Sequence, residues 1–174
     1  MQGDERAAVL TALAQAAPVL ERLEAALRPI ANRKVALADI GKPRPFRPLE
    51  EAGVRDEALA LLPGLLELYA SADEATRAEA RALVGRHRAF CWATNPQVPP
   101  TTREGLREHL LHVSLLDQGA DARDEILRIG HLCASARAAG LDPSPLLREV
   151  AALSSDANRY GMGSTRRFLL NAAD

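Results

Sequence analysis

Apolar residues at helical spacing constrain this chain more than any other feature of it. Val9, Leu13, Ala16, Leu20, Leu23, Leu27 and Ile30 recur at alternating intervals of four and three, which sets them on one stripe of an α-helix. The stripe keeps its phase across Pro18, which lies on the opposite face. Residues 4–33 therefore read as one kinked helix or two abutting ones. No segment shows the apolar–polar alternation of a half-buried strand. Only six residues are aromatic (Phe46, Tyr69, Phe90, Trp92, Tyr160 and Phe168). The core must then be built from Leu, Val, Ile and Ala, which suits packed helices better than sheets.

The remaining helices are placed by their start and stop signals. One is expected from Gly53 to Ala70, with Pro63-Gly64 bending or splitting it. Ser71 with Glu74, and Thr101 with Glu104, fit capping boxes that would open the next two. Gly119 is the expected C-cap of the second of these. Asp121 starts a helix carrying Ile126, Ile129, Leu132, Cys133 and Ala136, stopped by Gly140. Ser144-Pro145 is an N-cap and N1 pair. After an irregular stretch from Ser154 to Gly163, Ser164 opens the last helix.

Together these predict an all-α fold, a helical bundle or a stack of helical hairpins with about seven to eight helices. At 174 residues the chain suits one core, so residues 1–174 are expected to form a single domain. Residues 37–49 form an internal proline-rich linker, because Lys42-Pro43-Arg44-Pro45-Phe46-Arg47-Pro48 cannot be helical. No fixed-period repeat is present.

Composition narrows the function classes. A net charge of -1 and a pI of about 6.4 give no global attraction to phosphate backbones or anionic lipid. Five basic residues between Arg33 and Arg47 stand against Asp39 alone, but no aromatic ladder accompanies them, so nucleic acid is disfavoured as a partner. Two cysteines make no disulfide framework, no leader-like segment opens the sequence, and no apolar run approaches the ~20 residues of a membrane span. The expected address is the cytoplasm. Arg outnumbers Lys, which occurs only at 34 and 42, and Ala and Leu abound, a balance that suggests a GC-rich bacterial genome.

Enzyme chemistry finds little purchase. His87 with Cys91, His109 with His112, and His131 with Cys133 have spacings that one helix face could offer a metal. They lack the C-x-x-C knuckle, and Glu108 precedes both neighbouring histidines, unlike a zincin motif. A Cys91–His87 dyad has no legible oxyanion hole. The acidic pairs Glu50-Glu51, Asp56-Glu57, Asp73-Glu74 and Asp124-Glu125 lie near helix starts, where they complement the dipole in solvent. Neither a metal nor a cofactor is expected, and the chain reads as a non-enzyme.

Two surfaces stand out instead. Arg159, Tyr160, Gly161, Gly163, Ser164, Arg166 and Arg167 bring glycines, hydroxyls and arginines to a helix N-terminus, which can receive an anion or a partner. It is not a dinucleotide fingerprint, since Arg166 stands where the third glycine would be and no strand precedes it. Trp92 is a second candidate, as the kind of side chain that anchors interfaces. The basic Pro-x-x-Pro form of residues 42–48 is a weaker third. The expected function is a non-enzymatic helical protein-binding or adaptor module whose partner is another protein, such as a bacterial immunity protein or defence-complex subunit. The alternative is a small anionic ligand or nucleotide bound at Gly161–Arg167.

Overall fold

The computed structural model describes residues 25, 50–86, 94, 98–117, 122–159 and 161–174, with the side chains of 50–54 left aside. Apart from residue 25, the segments expected at 4–33 and 37–49 lie outside these residues, as do His87, Phe90, Cys91, Trp92 and Tyr160; the helix opened at Thr102 ends at Leu115 with Leu116, not the expected Gly119, as its C-cap. Among the described residues there are six helices and no strand. None of these helices is long and apolar enough to cross a membrane. The chain divides into two compact units, 1–94 and 95–174.

In the first unit α1 (Glu50–Ser71) packs on α2 (Glu74–Gly85). Helix α1 continues through Pro63, so the helix is not split there. Pro63 and Gly64 are both exposed, so the turn with the missing N–H faces water rather than the core. Leu65, Leu66 and Tyr69 of α1 and Ala80 and Val84 of α2 are buried. Arg81 is buried with them, donating to the Tyr69 hydroxyl at 2.9 Å and to Glu74 at 2.8 Å. The expected Ser71 cap is corrected: Ser71 ends α1, donating to the Glu67 carbonyl at 2.8 Å, and Asp73 caps α2 by accepting from Thr76 N–H at 2.8 Å.

The second unit holds α3 (Arg103–Leu115), α4 (Ala122–Ala138), α5 (Ser144–Leu153) and α6 (Thr165–Ala173). Helix α3 packs on α4 and α5, and α6 packs on the same two, so the four close around one core. Leu106, Leu110, Ile129, Leu146, Leu147, Val150 and Leu169 fill it at 2% exposure or less. Thr102 rather than Thr101 caps α3, accepting from Gly105 N–H at 3.0 Å. Ser144 lies inside α5 rather than capping it, and its hydroxyl ties α5 to the Ala173 carbonyl at the end of α6. Gly140, at φ 79°, ends α4 in a Schellman motif: its N–H bonds the Arg137 carbonyl, and Leu141 N–H bonds that of Ala136. Ser164 caps α6 as expected, accepting from Arg167 N–H at 3.2 Å.

Candidate functional site: a buried acid–arginine cluster and an exposed apolar face

Residues 154–159 and 161–164, between α5 and α6, have no regular structure, and side chains have to satisfy what the backbone leaves open. Arg166 does so at the end of α5, donating to the Ala151 and Ser154 carbonyls at 3.1 and 2.9 Å. The glycine loop closes on itself: Arg159 N–H donates to the Gly163 carbonyl at 2.7 Å, and Met162 N–H to the Arg159 carbonyl at 2.9 Å. Gly161 takes φ 76° and Gly163 φ 114°, conformations that L side chains avoid. A Cβ on Gly163 would also meet the Phe168 ring at 3.0 Å.

The loop is fastened to the body by a cluster of buried charges. Asp117, just past α3, is 5% exposed, and Glu125 in α4 is 4% exposed. Between them sits the fully buried Thr165 of α6. Its hydroxyl donates to Asp117 Oδ1 and lies 3.2 and 3.1 Å from the two oxygens of Glu125. Arg159 reaches in from the loop, donating to Glu125 Oε2 at 2.6 Å, with its Nε 3.6 Å from Asp117 Oδ1. Burial pushes the Glu125 carboxyl up to about 7; the Asp117 charge adds to the rise, while Arg159, the Thr165 hydroxyl and Arg128 oppose it.

A second buried contact extends the cluster. Arg128, one turn on from Glu125, donates to His112 Nδ1 at 2.7 Å. A guanidinium has no acceptor to offer, so His112 is the neutral tautomer with its proton on Nε2. Burial, then the nearby Arg128 and His109, hold His112 well below the usual histidine range. His109 is lowered too, by burial and Arg128. Burial also brings Arg128 down to about 10, against the pull of Glu125. On α4, His131 is exposed and Cys133 buried, so that pair does not share a face. Among the described residues no three His, Cys, Asp or Glu side chains are grouped to hold a metal ion.

The residues singled out in the tail thus separate into different tasks. Arg159 neutralises buried acids, Arg166 ties down carbonyls, Ser164 caps a helix, and the glycines allow the turn. Arg167 is exposed at the start of α6. Glu125 is a correction: it was expected in solvent at a helix start and instead faces inward. The signal was present in its register, since Ala122, Glu125, Ile129, Leu132 and Ala136 follow the three-four spacing of a buried stripe and all five are buried.

Ile126, another of the apolar residues this helix carries, is 42% exposed, and Leu127 beside it is 53% exposed. Met162 on the glycine loop is 55% exposed. Arg159 bonds both the Met162 backbone and Glu125, so this loop is fixed to the turn of α4 that carries Ile126 and Leu127. Gly130 and Ala134, one and two turns on from Ile126, are exposed and small, and a Cβ on Gly130 would meet nothing within 4 Å. No protein-family model matches the chain, and no curated protein or solved structure resembles it at a significant level.

Proposed function

We propose that this chain is a non-enzymatic protein-binding module whose docking face is the outer side of α4 with the adjoining glycine loop. One observation carries the reading: Ile126, Leu127 and Met162 are each 42% exposed or more, on one turn of helix and on the loop fastened to it. Single exposed apolar residues are ordinary, whereas grouped ones mark contact surfaces. Gly130 and Ala134 extend the face without bulk, which lets a partner's backbone come close. Arg123 and Arg137 of the same helix are exposed and suit the polar rim of an interface. The scaffold in this reading is a cytoplasmic helical domain of about seven to eight helices, counting the amphipathic segment at 4–33.

The alternative, an anionic ligand at Gly161–Arg167, draws less support. Arg159 and Arg166 are engaged inside the protein, and the Ser164 hydroxyl already serves the N-terminus of α6. The buried carboxyls give little support to an enzyme either, because at 4–5% exposure they meet no substrate.

A photo-cross-linking residue placed at position 127 of the full chain, in its own host cells, tests the docking face. A discrete protein adduct is expected from position 127 and none from Arg148, which is exposed on α5. No adduct from 127, or equal labelling from both positions, would sink the proposal.

A further inference from the structure

Thr165 poses a donor-counting problem. One hydroxyl carries one proton, yet three carboxylate oxygens crowd its oxygen: Asp117 Oδ1 and both oxygens of Glu125. The hydroxyl donates to Asp117. If Glu125 were ionised, its Oε1 would face the lone pairs of Thr165 Oγ1 at 3.2 Å with no hydrogen between them, in a site closed to water. A proton on Oε1 resolves this. Glu125 then donates to Thr165, Thr165 donates to Asp117, and Glu125 Oε2 still accepts from Arg159. Each hydrogen in this relay then has an acceptor, and two buried like charges are reduced to one.

We propose that Asp117 and Glu125 hold a single proton between them through the Thr165 hydroxyl, and that this proton is the catch that fastens the loop at Arg159 to α4. All the elements meeting there contribute a group. Asp117 comes from the end of α3, Arg128 from α4 itself, Thr165 from α6 and Arg159 from the loop. His112 and His109 of α3 act through Arg128. Arg128 favours the ionised carboxylate but is directed at His112, on which its Nη2 bonds. The balance falls near neutral pH, where burial places the Glu125 carboxyl. Loss of the proton leaves two adjoining buried carboxylates; Arg159 attracts both, but their desolvation and mutual repulsion outweigh it and favour opening of the loop to water. The step is a proton transfer to solvent, with no other bond made or broken.

Hydrogen exchange of the intact protein, read on residues 155–165 and corrected for intrinsic rates, tests this between pH 5.5 and 8.5. Protection in the wild type should fall by about tenfold or more across the range, the effect of one pKa unit or more. Glu125→Gln, whose amide supplies the same donor and acceptor permanently, should stay level. Equal slopes in the two proteins, or a level wild type, would overturn the proposal. Infrared spectra of the wild type alone provide an independent readout, should the variant not fold. A protonated-carboxyl C=O band present at pH 6 and gone at pH 8.5 supports the shared proton, and its absence at pH 6 refutes it.

Discussion

Glu125 and His112 make opposite contributions to stability as pH changes, and the direction follows from what burial does to each. Glu125 is raised from an ordinary 4.5 to about 7, so the folded protein binds a proton that the unfolded chain has lost. Its contribution is greatest below pH 4.5 and fades as pH rises through 7, a change worth about 3 kcal/mol. His112 is lowered, so below about pH 6.5 the unfolded chain takes up a proton that the folded one refuses, and stability is lost. Subtracting the urea-denaturation profile of Glu125→Gln from that of the wild type isolates the first effect. The difference should favour the wild type increasingly from pH 8 down to pH 5, and a flat difference would contradict the assigned burial. Gly163 supplies a test with no titration in it. Gly163→Ala combines a φ of 114° with a 3.0 Å approach to Phe168 and should cost about 1–3 kcal/mol in the same assay.

At the scale of the element, α4 does two things with two faces. Its inner stripe carries a carboxylate in place of one apolar residue, and its outer face carries the apolar bulk that a lone surface helix would avoid. Gly130 lies mid-helix on that outer face with open space where its Cβ would be. Gly130→Ala should therefore stabilise the free protein by up to about 1 kcal/mol, since nothing in the fold requires a glycine there. A loss of stability would mean that the face is already in contact. Helix starts, and the end of α4, were legible to within about three residues because hydroxyl caps and Gly140 act locally, whereas α3 stops at Leu116 rather than at Gly119. The caps slipped by one or two residues at Thr102 and Asp73, where adjacent hydroxyl and carboxylate side chains compete for the same backbone N–H and only the final chain direction decides. Pro63 does not split α1, because a proline on the solvent side costs a bond without displacing a packed neighbour.

For the molecule as a whole, fold class was legible and the site was not. Helical periodicity and the scarcity of aromatics are properties of composition and order, and the described residues are helical as they imply. The buried cluster draws Asp117, Glu125, Arg159 and Thr165 from four separate stretches, so no local motif announces it. Each residue alone reads as an ordinary surface charge or cap. The stripe register of Glu125 was the one local clue, and it gains meaning only once Ile126 is found turned outward. The central claim is that this outward face binds another protein. Native mass spectrometry of the full chain, purified from its own host without chelators, tests it most directly beside the variant Ile126→Asp/Leu127→Asp. Both side chains are exposed, so the variant should melt with the wild type. The wild type should carry the added mass of a protein partner and the variant should fly as the bare chain; a bare wild type, or a complex undiminished in the variant, would contradict the account.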